Sequence, residues 1–257
     1  SNDVIPGTDA TKLLYMQALG TLIYASVLWR TDVQFAVTQL CKYMNCPTKI
    51  HWRKLKDVYR YLAGTKSRGL TLGGKGEYKL IGYADASYAT DPDTRRSVTG
   101  YTWFYGPGGA IKNASLTQKT VTLSTASAEW VAACEATKEG VYLQGLLEEL
   151  GENIEQPVVI YEDSTACVFA SEKPQFSSRQ KHLAVKYHFV MERVQRDEFK
   201  LVPIDTKEQT ADQNTKPLDY DAFMYHTERI MSGDHGTGVT GHDFKAPGLK
   251  EYRRKAG

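Results

Sequence analysis

The sequence predicts an α/β fold: a five-stranded mixed sheet flanked by helices, with a small all-helical segment ahead of it. Three observations carry this. The run Lys79-Leu-Ile-Gly-Tyr-Ala-Asp85-Ala-Ser-Tyr-Ala89 is apolar or small on both alternating sets up to its acid, the pattern of a strand buried on both faces. Three strand-like runs succeed one another with tight turns, and only then do helices and strands alternate. Residues 9–64 instead repeat at helical spacing, and Gly69, Gly73, Gly74 and Gly76 set them apart from the strand-rich remainder.

Composition agrees with a packed core. The 257 residues are 41% hydrophobic and 24% charged, room for one large domain or an ordinary domain with a smaller companion. No apolar run approaches the length of a membrane span, and no secretory start is present. The opening Ser1-Asn2, without Met, is expected of a piece of a longer polypeptide. Cys41, Cys46, Cys134 and Cys167 have no CxxC spacing and sit in apolar patterns, as reduced thiols of an intracellular protein do. Charge is uneven. Residues 1–75 hold 11 Lys/Arg against 4 Asp/Glu, a net of +7, so the remainder carries −5 of the total +2. A basic front beside an acidic remainder suits a phosphate-binding surface next to a carboxylate site, although a basic stripe is also the pattern of an ordinary solvated helix face.

Taken in order, Leu14, Ala18, Leu22, Ala25 and Leu28 mark a first helix. A second starts from a Thr31 or Asp32 cap and carries Val33, Ala36, Val37, Leu40 and Met44. Pro47-Thr48 opens a third with Trp52, Leu55, Val58, Tyr59 and Leu62 on one stripe, ended by Gly64. After the strand bearing Asp85, the turn Asp91-Pro92-Asp93 leads to a strand over 97–105. Gly106-Pro107-Gly108-Gly109 then turns into a third over 110–118, an antiparallel meander. A long helix over 126–150, capped by Ser124 or Thr125, puts Glu129 on the same face as Ala132, Ala133, Ala136, Gly140, Leu143 and Leu147. A fourth strand, 157–162, delivers Asp163 to its carboxyl end, where ligands gather in α/β sheets. Next come a short helix, the basic loop Arg179-Gln180-Lys181-His182, a helix to Gln195 and a fifth strand over 198–204. A helix then carries Asp212, and Pro217 opens a last helix to Met231.

Asp85 alone reads as a solvated strand end. Together with Glu129, Asp163 and Asp212 it reads as a hard-oxygen cage suited to two Mg²⁺ ions about 4 Å apart, with Mn²⁺ able to substitute. Such a cage suits phosphodiester hydrolysis. His182 and His188 fall on different helix faces, so zinc is not expected.

The runs IGYADASYA, RRSVTGYTWF, LSTASAEWVAACEATKEGVYLQGLL, VVIYEDSTAC, SSRQKHLAVKYHFVMERV and TADQNTKPL resemble the ribonuclease H domain of copia-type LTR retrotransposon polyproteins. YMQALGTLIYASVLWRTDVQFAV through HWRKLKDVYRYLAGTK resembles the helical thumb or connection part of reverse transcriptase that precedes it. The resemblance implies a ribonuclease H-like sheet in residues 66–231 and a thumb- or connection-like segment in 1–65; the Gly- and His-containing tail, 232–257, falls outside it and is expected from its composition to be flexible. It implies Mg²⁺-dependent cleavage of the RNA strand of RNA–DNA hybrids, with Asp85, Glu129, Asp163 and Asp212 as catalytic metal ligands converging at one edge of the sheet. It implies partnership with the reverse transcriptase palm of the polyprotein, no membrane, and action in cytoplasmic virus-like particles or the nucleus. The polymerase aspartates are missing, so no DNA synthesis is expected.

Two departures stand out. TASAEW puts Ser127 where the family often has an acid, and the loop 203–208 lacks the His that cellular ribonucleases H carry there. His182 is a candidate to replace it, unless it only caps or packs its helix. Lys49, Arg53, Lys54, Lys56, Arg60, Arg179 and Lys181 are candidate phosphate contacts, and Tyr83, Tyr88, Trp103 and Trp130 could stack on bases or fill the core. Integrases place their glutamate after the second aspartate, and proofreading exonucleases have a second acid where Ser87 stands. The remaining alternative is a non-catalytic nucleic-acid-binding or assembly module.

Overall fold

The computed structural model describes residues 9–91, 93–172 and 184–232. The chain divides into two compact units, Ser1–Leu70 and Thr71–Gly257.

The first unit contains α1 (Asp9–Leu28), α2 (Gln34–Cys41) and α3 (Lys49–Gly64). Tyr15, Leu19, Leu22, Val33, Val37, Leu40, Leu55 and Val58 form its core. The α1 stripe differs from the expected one, since Leu14 and Leu28 face solvent while Tyr15, Leu19 and Leu22 are buried. That helix is apolar on nearly every side, so its spacing does not select a face; the Tyr15 hydroxyl, donating to the Leu40 carbonyl, marks the inner one. Thr31 and Asp32 do not cap α2 but form a buried 3₁₀ turn. Asp32 is committed elsewhere, accepting from Arg30 at 3.0 and 2.8 Å and from the Tyr61 hydroxyl at 2.7 Å. Arg30 also reaches Thr65, so one buried ion pair ties the end of α1 to the end of α3. Thr48 caps α3 with His51 completing a capping box. Lys49, Arg53, Lys54, Lys56 and Arg60 are all exposed on α3. Arg60 pairs with Asp57 at 2.7 Å, and the Lys56 ammonium lies over the Trp52 ring.

The second unit is built on β1 (Leu80–Ser87), β2 (Val98–Tyr105), β3 (Ala110–Thr117), β4 (Val158–Glu162) and β5 (Phe199–Pro203), in the order β3-β2-β1-β4-β5. The first three pair antiparallel, while β4 runs parallel to β1 and to β5. This is the ribonuclease H-like mixed sheet, with α4 (Thr125–Glu149), α5 (Thr165–Glu172), α6 (Ala184–Gln195) and α7 (Tyr220–Ser232) packed around it. Because β1 and β4 are parallel, their carboxyl ends lie side by side, and the acids at those ends are brought together.

The small stripe of α4 has a concrete partner. The Trp103 indole fills the space between Gly82 on β1 and Gly140 on α4, and a Cβ at either would meet the ring at 2.8 or 2.5 Å. A second cluster, with Trp130, Cys134, Cys167, Tyr187, Met191 and Leu201, seats α5 and α6; there Trp130 and Tyr187 stack with centroids 4.3 Å apart. Tyr83, Trp103 and Trp130 are thus core residues rather than stacking platforms, because β1, β2 and α4 are covered on the faces they occupy. Tyr88 is the exposed member of that set. Cys134 and Cys167 are buried thiols, but Cys46 is exposed. The loop carrying Arg179, Lys181 and His182, and the tail beyond Ser232, lie outside the described residues.

Asp212 rides on a 3₁₀ turn, Thr210–Asn214, rather than on the expected helix, and α7 begins at Tyr220, where the Asp219 carboxylate accepts from the Ala222 N–H. Packing explains the tight turn. Gly100 on β2 lets it lie against the sheet, since a Cβ there would meet Thr215 Cγ2 at 2.6 Å and the Ala211 carbonyl at 2.7 Å. The Gln209 amide donates to the Ala84 carbonyl at 2.9 Å, and Asn214 donates to Asn113 at 2.6 Å and to Thr102 at 3.1 Å. Gly100→Ala is therefore expected to destabilise the protein by about 1–3 kcal/mol. Gly145→Ala, on α4 with nothing within 4 Å of its Cβ, should instead be neutral or slightly stabilising. Urea midpoints of the two variants measure this, and equal midpoints would show that the turn does not rest on Gly100.

Candidate metal centre

Asp85 sits opposite Gly100 in the β1–β2 ladder and is 3% exposed. Glu129 is in the second turn of α4, just after the Ser124 cap, and accepts from the Ala86 backbone N–H. Asp163 follows the last residue of β4, and the Thr206 hydroxyl, in the turn after β5, donates to it at 2.9 Å. One oxygen from each of Asp85, Glu129 and Asp163 lies within 4.8 Å of the other two. Asp212 completes the group through a carboxyl–carboxylate hydrogen bond to Asp85. The Thr215 hydroxyl, three residues on, donates a short hydrogen bond to the same Asp85. All four predicted acids are thereby brought to one end of the sheet. The exposed basic residues of α3 belong to the other compact unit.

Comparison with known proteins places this arrangement in a lineage. No family model matches the chain. Over 222 residues, 86% of its length, it is 39% identical to the retrovirus-related Pol polyprotein from transposon TNT 1-94 of Nicotiana tabacum. Over 216 residues, 84% of its length, it is 37% identical to that from transposon RE2 of Arabidopsis thaliana. The chain belongs to the copia-type retrotransposon Pol polyproteins. The chain spans 16% and 15% of the length of those two relatives. It is also similar to a ribonuclease H1 isolated from compost, at 18% identity and a TM-score of 0.42, covering 54% of this chain and 94% of that one. So loose a likeness transfers no residue roles.

Burial and mutual repulsion dominate the electrostatics of the acid cluster. Glu129 is pushed up to about 9, first by burial and then by Asp85 and Asp163. Asp212 rises to about 7 by burial and by Asp85. Burial also raises Asp85, while Thr215 and the Lys216 charge pull the other way. Carboxylates so placed call for cations. Glu129 Oε2 and Asp212 Oδ1 are buried with no hydrogen-bond partner among the described residues, which leaves both oxygens open to a cation. An all-oxygen donor set of this kind fits Mg²⁺ or Mn²⁺ rather than zinc.

Sequence reasoning missed three residues here. Glu162 is fully buried beside Asp163, with Oε2 unpartnered and its pKa raised by burial and then by Glu129 and Asp85. In the sequence it looks like the polar end of an apolar strand, and nothing marks it. Thr215 gave no signal either. Lys216 did: it stands four residues beyond Asp212, the spacing of a side-chain ion pair, and its ammonium lies 2.8 Å from Asp212.

The raised values set a pH dependence. A group whose folded pKa lies above its unfolded one stabilises fully below the unfolded value, and that contribution is lost as pH rises through the folded value. Buried His226, lowered to about 4 by burial and by Arg229, disturbs only the acidic side of that range. In EDTA the melting temperature should therefore fall between about pH 7 and about pH 9, and Glu129→Gln should flatten the fall. A melting temperature independent of pH over that window in the wild type would show that Glu129 does not hold its proton.

Proposed function

We propose that this segment hydrolyses the RNA strand of RNA–DNA hybrids during reverse transcription of its element, using divalent cations held by Asp85, Glu129, Asp163 and Asp212. The observation that carries the reading is the gathering of three carboxylates within 4.8 Å, two of them buried. Membership of the copia-type Pol polyproteins supports it, because those polyproteins must remove RNA from the hybrids that reverse transcription makes. Two Mg²⁺ ions, replaceable by Mn²⁺, suit the oxygen-only donor set. Held by these carboxylates, divalent cations would supply Lewis acidity toward a water and toward the phosphate oxygens.

The chain's own groups prepare the site for that chemistry. Thr215 and Thr206 fix the carboxylates of Asp85 and Asp163 by hydrogen bonds, and the Ala86 N–H fixes Glu129. The packed β1–α4 interface keeps bulk water away from the inner oxygens, so the field of the carboxylates is not dissipated. Protons held on Glu129 and Asp212 have to leave before those oxygens can act as ligands, which favours activity at neutral to alkaline pH. The hybrid would be held by phosphate contacts from Lys49, Arg53, Lys54, Lys56 and Arg60 on α3 and from Arg179 and Lys181, with His182 available for proton handling or product release. The palm of the same polyprotein is the expected neighbour, in cytoplasmic particles or the nucleus.

Asp163→Asn keeps the shape and removes one negative charge, so cleavage of a labelled hybrid in Mg²⁺ should fall by at least about a hundredfold. Binding should survive, since duplexes are held mainly through the backbone. Asp93→Asn, exposed in the β1–β2 turn, is the matched control and should cut normally. Equal cleavage by the two variants would remove Asp163 from the site, and a wild type that binds hybrid but never cuts it would favour a non-catalytic module.

The triple variant Arg53→Ala, Lys54→Ala, Lys56→Ala should weaken hybrid binding and make its salt dependence shallower, by up to about 0.9 in log–log slope per lost phosphate contact. An unchanged affinity across the salt series would return α3 to a merely solvated face.

A further inference from the structure

Lys216 is more than a surface partner of Asp212. The two side chains of the pair differ in exposure, 6% for Asp212 and 39% for Lys216. The ammonium therefore reaches inward, from a half-exposed stem, onto a carboxylate that is almost out of solvent. Asp85 lies against that carboxylate, whose second oxygen, Oδ1, is buried with no hydrogen-bond partner among the described residues.

The Lys216 charge also extends past its partner. It works against the rise at Asp85, Glu129 and Asp212 alike. Burial works to lower the pKa of Lys216 itself, but Asp212, Asp85 and Asp163 outweigh it and raise the value. One fixed cation thus acts on all four acids. An exposed pair at this helical spacing contributes little to stability. This one faces a cluster of acids that burial would otherwise leave without counter-charge.

A divalent cation and an ammonium compete for such a place in two ways. Both need the oxygens of Asp212, and the two positive charges repel each other at short range. Resting on the divalent-cation reading above, we propose that Lys216 is a tethered counter-ion: it holds Asp212 while the cage has no metal and gives it up when a divalent cation enters. Metal uptake is then an exchange of cations. The cage keeps its shape without metal, and its affinity for metal is set below what four bare carboxylates would give.

Calorimetric titration of the full chain with Mn²⁺, with melting curves in EDTA and in Mg²⁺, tests this. Lys216→Met keeps the stem and removes the charge, Lys216→Arg keeps the charge, and Lys216→Gln is a second neutral variant should Met impair folding. The neutral variants should bind Mn²⁺ about tenfold more tightly than the wild type. They should melt lower than the wild type in EDTA and gain more from Mg²⁺, because the stabilisation by a bound ligand grows with the logarithm of its affinity. Lys216→Arg should stay near the wild type. Unchanged Mn²⁺ affinity, with the same loss of melting temperature in EDTA and in Mg²⁺, would reduce Lys216 to a structural ion pair, and weaker Mn²⁺ binding by the neutral variants would also overturn the exchange. Mn²⁺ uptake that is abolished by Asp85→Asn but insensitive to Lys216 removes this proposal and leaves the metal reading standing. A wild type that takes up no Mn²⁺ removes both.

Discussion

Carboxylates packed into a place that water barely reaches are the constraint around which the second unit is arranged. Asp85, Glu129 and Asp212 are each at most 5% exposed, and Glu162 is fully buried. Like charges so close cannot all ionise without counter-charge, and burial penalises each ionised form further. The fold meets that demand partly with a proton on Glu129, which burial and the neighbouring acids favour, and partly with the Lys216 ammonium on Asp212. A structure serving stability alone would place apolar groups there, since buried charge is more often costly than helpful. The cluster makes physical sense as a cage for cations.

Holding that cage requires unusual closeness between segments far apart in sequence. Gly82 and Gly140 make room for the Trp103 ring, which sets the depth of α4 against the sheet and with it the reach of Glu129. Gly100 lets the Thr210–Asn214 turn lie directly on β2. That turn is then sewn in by Gln209 to the Ala84 carbonyl and by Asn214 to Asn113 and Thr102. Asp212 and Thr215 accordingly arrive at Asp85 from a segment more than a hundred residues away. A chain belonging to the copia-type Pol polyproteins thus carries its acids on four separate elements, each fixed by its own packing.

Much of this was legible in the sequence because strong periodicity constrains it. The two-sided apolar run of β1, the small stripe of α4 and the acid after β4 each follow from local pattern, and the four acids were placed from them together with the family resemblance. Other features depend on contacts that no local pattern encodes. The inner face of α1 was misplaced because nearly all its faces are apolar. Asp32 resembled a cap but is drawn into the Arg30–Tyr61 network, which joins residues 29 positions apart. The turn bearing Asp212 reads as a helix until Gly100 is seen to pull it onto the sheet. Glu162 gave no signal at all, since one acid at the end of an apolar strand is ordinary until its burial is known.

The same physics joins the fold to the proposed chemistry. Oxygens that are buried, unpartnered and crowded by other acids are poor elements of a stable core and good ligands for hard cations, and the hydrolysis proposed here needs such cations beside a phosphate. The most direct test is an anomalous-difference map from crystals of the protein soaked in Mn²⁺. Anomalous density is expected among Asp85, Glu129, Asp163 and Asp212, with the Lys216 side chain moved away from Asp212. Crystals that bind Mn²⁺ elsewhere, with no density between those four carboxylates, would contradict a cation cage at this site.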